Sequence, residues 1–406
     1  MQTASRHSNA VLYKLLIIQA FYMAMFLIPV IVAYFQLRGV SLAGFLLIQG
    51  LFRFMVVACE IPTGYIADRW HRNRVIILAL AFWLAGNVVF IVAYGFTWLL
   101  VGELLFAIAS ALLSGTLEAY IYDILEQQKR TNEAEKWSSR LHASSYATES
   151  FMGIAGALLF VWWTAAPAIA QAVAGAIALG LACTLPNVPR KKKDLSHSHW
   201  QEVRRIVKWS LHGHPELKWL ILFPALLFSG SIVFFWGIQA MLAEKGVSAV
   251  WIGWAISVNF MFKTVFALAT EKLLKKYGAV RFITLLLMLF AVGGTLLAMS
   301  PNPWWLYFGG VMSAGLVHAM GRPVFNAFIN RRTESDERAT VLSVMGFISM
   351  LLGGFWLTAA QPLMGYANIS MGHYILLTVV ITLLLMLWPA VRLYQLRLLE
   401  PVSKNE

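Results

Sequence analysis

The sequence predicts an all-α membrane protein with twelve transmembrane helices in two pseudo-symmetric six-helix halves. Composition is the first of three observations behind this fold class, because 59% of the 406 residues are hydrophobic and only 13% are charged. Soluble domains carry about 25% charged residues, so this chain lacks the polar surface that water requires. The other two observations are the recurrence of long apolar segments and the one-sided placement of positive charge.

Apolar segments of about 20 residues or more recur along the whole chain, and a helix of that length crosses a hydrocarbon core of roughly 30 Å. Helices are favoured because they satisfy their own backbone hydrogen bonds where no water is present. The first segment is too long for the apolar region of a cleaved signal peptide and is expected to stay as the first helix. The predicted segments are 11–35, 41–67, 75–94, 97–125, 138–163, 165–185, 218–243, 248–270, 281–300, 303–330, 339–363 and 370–394.

Positive charge marks one side of the membrane. Most of the 32 Lys and Arg residues fall in alternate loops and in the two tails, whereas the opposite loops contain only Arg38 and Lys245. Since cytoplasmic loops are enriched in Lys and Arg, both termini are predicted to be cytoplasmic. The same bias explains the net charge of +13, so no nucleic-acid partner is expected.

A polar stretch divides the chain. Residues 1–185 and 218–406 each contain six apolar segments, and residues 186–217 join them as a strongly basic linker. Between Trp200 and Trp209, apolar and basic residues alternate at helical spacing, which indicates a basic amphipathic helix on the inner leaflet. A plain tether between the halves is the alternative.

No metal or cofactor is predicted. The four histidines of the linker have no fixed geometry, and Cys59 and Cys183 are lone thiols inside distant apolar segments. No phosphate-binding loop of the Gly-x-x-x-x-Gly-Lys-Ser/Thr type occurs, which argues against an ATP-driven pump.

Residues 64–74 form a short basic loop with a distinctive order: a glycine, an acid four residues later, then spaced arginines. This loop resembles the signature between the second and third helices of the major facilitator superfamily, with His71 and Asn73 as departures. Residues 60–64 and 114–123 resemble a bacterial efflux branch of that superfamily. The signature positions retained here are Gly64, Asp68, Arg69 and Arg72.

The resemblance implies a cytoplasmic gate. Asp68 would face the N-terminus of the eleventh helix, where the helix dipole favours an acid. Arg72 would pair with Asp123 at the end of the fourth helix, and both contacts would break when the carrier opens inward. The alternative is that these charges only set the topology. If the gate exists, Asp68→Asn should impair transport without preventing membrane insertion.

Ionisable and polar residues within the apolar segments are the candidate solute and proton pathway, because each is costly in lipid and needs a partner or a water-filled cavity. Structural ion pairs or hydrogen bonds inside the bundle are the alternative for each. Arg322 is expected either to bind a substrate anion or to hold Glu118 ionised. The candidates are Arg53, Glu60, Glu118, Tyr122, Glu149, Lys263, His318, Arg322 and Asn326.

A second pairing is predicted between the halves. The resemblance places the fifth helix against the eighth, and a rise of about 1.5 Å per residue puts Glu149 and Lys263 at similar depths. We therefore expect a Glu149–Lys263 ion pair, direct or through water, in at least one state of the transport cycle. Glu149 is the first candidate for the carboxylate that couples transport to protons.

Aromatic residues accompany these charges. Tyr22, Phe26, Phe235 and Trp236 lie deep in the first and seventh helices, which the resemblance places around the central cavity. They fit either an amphipathic solute or ordinary helix packing. Residues 144–156 lack the proline of the drug–proton antiporter motif, which leaves the direction of transport open.

The resulting interpretation is a secondary active transporter of a bacterial inner membrane, working as a monomer by alternating access. Proton-coupled export of an amphipathic small molecule, such as a drug or siderophore-like metabolite, is the leading hypothesis. An importer of a nutrient or metabolite is the nearest alternative. A non-transporting receptor and a membrane-embedded enzyme are rivals from other classes, and no enzymatic activity is expected, since no poised catalytic group is evident.

Overall fold

The computed structural model describes residues 2–188, 208–333, 338–396 and 398, with helices and short connections throughout. Residues 200–207, most of the predicted amphipathic helix of the linker, lie outside the described residues. The α-helices are α1 (Gln2–Tyr22), α2 (Ile31–Leu37), α3 (Leu42–Arg69), α4 (Arg72–Val92), α5 (Gly95–Leu113), α6 (Thr116–Gln127), α7 (Ala134–Trp162), α8 (Ala166–Cys183), α9 (Pro215–Glu244), α10 (Ala249–Tyr277), α11 (Ala279–Met299), α12 (Pro303–Gly310), α13 (Val317–Asn330), α14 (Arg338–Ala360) and α15 (Met371–Gln395).

Nine helical spans in the described part of the chain are long and apolar enough to cross a membrane, which agrees with the predicted class of protein. Three other predicted segments fall outside this set. Residues 11–35 are divided between α1 and α2, residues 138–163 form α7, and residues 303–330 form α12, a π-helical stretch and α13. The nine spans are Leu42–Glu60, Arg72–Val92, Gly95–Gln127, Ala166–Cys183, Glu216–Glu244, Ala249–Tyr277, Ala279–Met299, Val341–Tyr366 and Met371–Gln395.

The prediction of one unbroken helix over residues 11–35 is wrong. The chain leaves α1 after Tyr22 and passes through a turn before a short 3₁₀ helix at Ile28–Val30. In this turn the Leu27 backbone N–H donates to the Gln171 side-chain oxygen at 3.2 Å instead of to a helical carbonyl. Pro29 follows and has no N–H to restore the helical pattern, so the break is stabilised from both sides.

The predicted segment 97–125 is also interrupted. Helix α5 ends at Leu113, and Gly115 adopts a left-handed conformation with φ of 67° before α6 begins. Glycine occupies that region without the steric cost that other residues meet there. The break therefore separates α6, and the acids that it carries, from α5.

Two compact units contain these helices. The first unit comprises Met1–Ser41, Met55–Ser196 and Ala249–Val258. Within it, α4 packs against α5 and α8, and α1 packs against α7 and α8. Two pairs of its buried polar side chains are hydrogen-bonded: Gln171 donates to Asn87 at 2.7 Å, and Gln19 donates to Ser145 at 2.8 Å. Hydrogen bonds of this kind keep polar groups tolerable among apolar helices.

The second unit comprises Leu42–Phe54, His197–Ser248 and Asn259–Glu406. Within it, α9 packs against α14 and α15, and α11 packs against α12 and α15. Helix α9 forms the centre of this unit, since 78% of its apolar window is buried, more than in any of the other eight spans. Helix α10 is the least buried of the nine spans, with only 28% of its window buried.

Glycines allow two close helix crossings. In the first unit, a Cβ atom on Gly253 of α10 would lie 2.6 Å from the carbonyl oxygen of Gly153 on α7. In the second unit, a Cβ atom on Gly50 of α3 would lie 2.9 Å from the carbonyl oxygen of Gly354 on α14. Small residues let helix backbones approach in this way, so any larger side chain must push the helices apart.

Gly253→Val is expected to destabilise the α7–α10 crossing by about 1–3 kcal/mol, because overpacking forces the helices to separate. A lower Tm of the purified protein and reduced transport would show this. Gly180→Val in α8 is the matched control, since a Cβ atom there has no neighbour within 4 Å. If both variants behave alike, the close crossing has no special importance.

Candidate functional site

The second unit brings four of the predicted pathway residues to one place. Arg53 lies on α3, Lys263 on α10, and His318 and Arg322 lie one turn apart on α13. The charged groups that act electrostatically on the His318 ring are Arg322, Lys263 and Arg53. These four residues, together called the cationic cluster, therefore face a common region although their three helices are far apart in the sequence.

One face of α9 forms the wall of the cluster. Phe228, Ile232 and Phe235 are spaced four and three residues apart, which places them on the same side of a helix. The Phe228 ring lies 4.8 Å from the His318 ring, and the Phe235 ring lies 5.2 Å from the Lys263 ammonium nitrogen. A Cβ atom on Gly353 of α14 would touch both Ile232 and Arg53, at 3.5 Å and 3.4 Å.

Lys263 lies over two aromatic rings. Its Nζ atom is 5.2 Å from the centre of Phe235 and 4.7 Å from the centre of Phe260, within the range of cation–π attraction. One turn earlier on α10, Asn259 is only 1% exposed. Both polar atoms of its side-chain amide lack a hydrogen-bond partner among the described residues, which is unusual for a buried group.

A π-helical stretch, Val311–Leu316, immediately precedes α13 and ends two residues before His318. Such stretches are rare and are frequent at functional sites. Gly315 within it faces Asn259, because a Cβ atom on Gly315 would lie 2.9 Å from the amide oxygen of Asn259. The irregular backbone thus lies beside the orphaned amide and one turn from the cationic cluster.

The two arginines of the cluster have no close anionic partner in the described structure. No hydrogen bond or salt bridge joins Arg53 or Arg322 to any described residue. Arg53 is half-buried, whereas the Arg322 side chain is exposed. Another pathway candidate, Asn326, lies one turn beyond Arg322 on α13 and is half-buried, and its side-chain oxygen is unpartnered among the described residues.

The first unit holds the acidic candidates. Glu118 of α6 is 3.1 Å from the Nε2 atom of His142 on α7, so its partner is a histidine that the sequence analysis did not select. His142 lies seven residues before Glu149, on the same face of α7, and this spacing was the available signal. Glu149 and Glu60 are half-buried, and Tyr122 is 48% exposed.

The basic end of α3 and the start of α4 carry the signature loop. Arg72 donates from Nε to an Asp123 carboxylate oxygen at 2.6 Å, and the side chains are only 22% and 11% exposed. The expected contact between these residues is therefore present. Arg69 stacks over the Tyr65 ring at 4.2 Å, and Gly64 lies within α3. The Asp68 side chain lies outside the described part of the structure, so its predicted helix contact stays a prediction.

Comparison with known proteins identifies the family of this chain. The sequence profile described as "Major Facilitator Superfamily" matches residues 14–358 and, in a second alignment, residues 219–405. The chain belongs to the major facilitator superfamily. The predicted resemblance is thus confirmed, and a search of curated proteins finds no match.

Solved transporters share this major facilitator fold. The nucleoside transporter NupG matches with a TM-score of 0.76 at 14% identity, over 94% of this chain and 98% of NupG. A peptide transporter POT in complex with sulfate matches with a TM-score of 0.73 at 14% identity, over 96% of each chain. The family and these neighbours identify a membrane transporter rather than an enzyme.

No group of three or more metal-binding side chains occurs among the described residues of this major facilitator protein. The Glu118–His142 pair contains only two such groups. The cationic cluster cannot hold a metal, since lysine and arginine are cations themselves. The ordinary chemistry of the cluster is therefore recognition of a negative or hydrogen-bond-accepting group.

Asp123→Asn is expected to destabilise the folded transporter by about 3 kcal/mol, because it leaves the largely buried Arg72 without its carboxylate. The Tm of the purified protein measures this effect, and the exchange Arg72→Asp with Asp123→Arg should recover part of it. Lys275→Ala is the control, since the Glu271–Lys275 pair is 76% exposed on both sides and should contribute little. Equal Tm changes in the Asp123 and Lys275 variants would contradict the predicted structural weight of the buried pair.

Proposed function

We propose that this chain is a secondary active transporter that moves an amphipathic small molecule across a bacterial inner membrane. In this proposal twelve helices form two pseudo-symmetric halves, residues 1–185 and 218–406, and both termini are cytoplasmic. The protein works as a monomer by alternating access, and proton movement drives export.

The observation that carries this proposal is the cationic cluster within apolar spans. Arg53 and Lys263 lie in helices that qualify as membrane spans, and a charge at such depth costs at least about 2.5 kcal/mol in lipid. A water-filled solute pathway removes that cost, because the charges then face water or solute instead of acyl chains. The exposed Arg322 and the aromatic face of α9 fit the wall of such a pathway.

Proton coupling is assigned to the acids of the first unit. Glu149 remains the first candidate, and Glu118 with His142 is a second group that can exchange a proton. Protonation of either carboxylate removes a negative charge and so changes its attraction to nearby cations. In this account the Glu149–Lys263 pair loosens when Glu149 is protonated, which links proton uptake to the conformational change.

Closing contacts are assigned to opposite sides of the membrane. In the predicted topology, the Gly50–Gly354 and Gly153–Gly253 crossings lie toward the outer side. The Arg72–Asp123 pair lies at the cytoplasmic side, where the signature loop forms the gate. Alternating access then requires the two sets of contacts to break in turn.

The two candidate functions, export and import, differ in the direction of transport. Export follows from the resemblance of residues 60–64 and 114–123 to an efflux branch. Import of a nutrient is the second candidate, and it is favoured by the fold shared with transporters named for nucleosides and peptides. Loading proteoliposomes with solute and measuring its loss or uptake under an imposed pH gradient distinguishes the two.

A test of alternating access needs no knowledge of the solute. The chain has two cysteines, so Cys59→Ser with Cys183→Ser gives a cysteine-free background. In that background, Asn326→Cys should react with a membrane-impermeant thiol reagent from either side of the membrane, and the ratio should change with pH. Lys245→Cys and Arg331→Cys are controls that should each react from one side only. Labelling of Asn326→Cys from a single side under all conditions would refute alternating access to this site.

A further inference from the structure

We propose that the transported solute is an organic anion, with a carboxylate or phosphate head bound by Arg53 and Arg322 and an apolar or aromatic body lying against α9. This inference rests on the proposed transport function and adds the substrate class. The observations that carry it are the excess of positive charge in the cluster, the unpartnered arginines and the aromatic wall.

The second unit has no described carboxylate near the cluster. Its described acids lie toward the ends of helices: Glu216 at the start of α9, Glu244 at its last residue, and Glu271 near the end of α10. Glu216 is 3.5 Å from Arg332, and Glu271 is 2.6 Å from Lys275. At about 1.5 Å per residue, Glu271 is roughly 12 Å along α10 from Lys263. These acids therefore belong to the helix ends and do not neutralise the cluster.

The excess charge survives the predicted pairing between the halves. If Glu149 neutralises Lys263 as proposed above, Arg53 and Arg322 still supply two positive charges. Glu118, the other acid proposed earlier as a partner for Arg322, is 3.1 Å from His142. The guanidinium groups of Arg53 and Arg322 thus have no salt bridge to any described carboxylate.

Guanidinium chemistry defines the head group of the solute. Arginine presents planar, paired N–H donors that match the two oxygens of a carboxylate or phosphate, and its charge does not depend on pH in the physiological range. Arg322 is exposed, so an incoming solute can reach it first. Arg53 is half-buried and can then bind the same head group. A cationic solute would meet repulsion from both.

The wall defines the body of the solute. Phe228 and Phe235 of the wall, with Phe260 of α10, present rings beside His318 and Lys263, and these rings suit an aromatic or branched apolar group. The unpartnered amide of Asn259 lies one turn from Lys263 and can hydrogen-bond a polar substituent if the side chain turns toward the solute. An amphipathic anion satisfies the charges and the wall together, whereas a small inorganic anion satisfies only the charges.

Three probes with the same apolar body and different heads test the proposal: phenylbutyrate, phenylbutanamide and phenylbutylamine. Phenyl phosphate distinguishes a phosphate from a carboxylate head. Each is added to the purified full-length protein at equal ionic strength, and the Tm is measured. At a hundredfold excess over its Kd, a bound anion should raise the Tm by on the order of 3 °C, and the neutral amide should bind about 100-fold more weakly.

The variant Arg322→Gln should lose the anion-induced rise in Tm, and Arg331→Gln should keep it. Arg331 is the matched control because it is an exposed arginine at the end of the same helix. The proposal is overturned if neither anion raises the wild-type Tm, if the amide or the amine raises it as much as the anions, or if the rise persists in Arg322→Gln. In each of these cases a labelling of Asn326→Cys from both sides would still support alternating access, so the two failures are distinguishable.

Discussion

Replacing Arg322 by alanine is expected to abolish transport while leaving a folded protein in the membrane. The side chain is exposed within the second unit and forms no hydrogen bond or salt bridge with the described residues, so its loss removes little structure. Its loss does remove half of the free guanidinium charge proposed to bind the solute. Removing one partner of a charged hydrogen bond reduces the free energy of binding by about 3 kcal/mol, which corresponds to a decrease of roughly 100-fold in solute affinity.

Solute flux in proteoliposomes measures this prediction, with Tm as the check on folding. Arg322→Lys should not fully restore flux if the contact is bidentate, because an ammonium group cannot present two fixed, parallel donors. Arg331→Ala is the control and should transport normally. Near-normal flux in Arg322→Ala would remove this residue from the solute site.

Exchanging the charges of Glu149 and Lys263 is expected to recover more folded protein than either single change. Glu149 lies in the first unit and Lys263 in the second, and both side chains are half-buried. Removing one member of a buried pair typically costs about 3–5 kcal/mol, since the other charge is left without compensation. The single variants Glu149→Gln and Lys263→Gln should therefore be strongly impaired.

The yield of folded, monodisperse protein and its Tm measure this second prediction. Lys275→Glu with Glu271→Lys is the matched control, because that exposed pair can be exchanged with little consequence. An exchange of Glu149 and Lys263 that is no better than the single variants would argue against the pair. Transport need not recover in the exchanged protein, because the proton-accepting carboxylate has moved to another helix.

Most of the helices follow from the sequence because membrane physics leaves few alternatives. A run of apolar residues bounded by charged loops has to form a helix in lipid, which is why α4, α8 and α11 lie close to their predicted bounds. The signature loop also allowed two predictions, the Arg72–Asp123 contact and the family.

Local breaks were harder to predict. Hydropathy averages over a whole span, so it does not register a single left-handed residue such as Gly115 or the turn that ends α1. The turn depends on a hydrogen bond from Leu27 to Gln171, which is 144 residues away in the sequence. A contact of that kind is set by tertiary packing and leaves no local pattern.

In the candidate site, too, residues with a clear sequence pattern were predicted and residues defined by tertiary contacts were not. Charged residues within spans are conspicuous, and Arg53, Lys263 and Arg322 were selected for that reason. His142 was missed, because a histidine near the start of a helix has no obvious role until Glu118 is seen beside it. The aromatic residues beside the cluster were predicted only in part. Phe235 was selected, whereas Phe228 and Phe260 could not be told apart from the many phenylalanines that pack helices.

The most direct test of the central claim is solute-dependent proton movement in proteoliposomes that contain a trapped pH-sensitive dye. Addition of a transported anion to the wild-type protein should change the internal pH, and Arg322→Ala should show no change under the same gradient. The part of the Glu149→Gln protein that folds should bind the solute, as judged by a rise in its own Tm, but should not move protons with it. Solute flux through the wild-type protein with no accompanying proton movement would contradict the account.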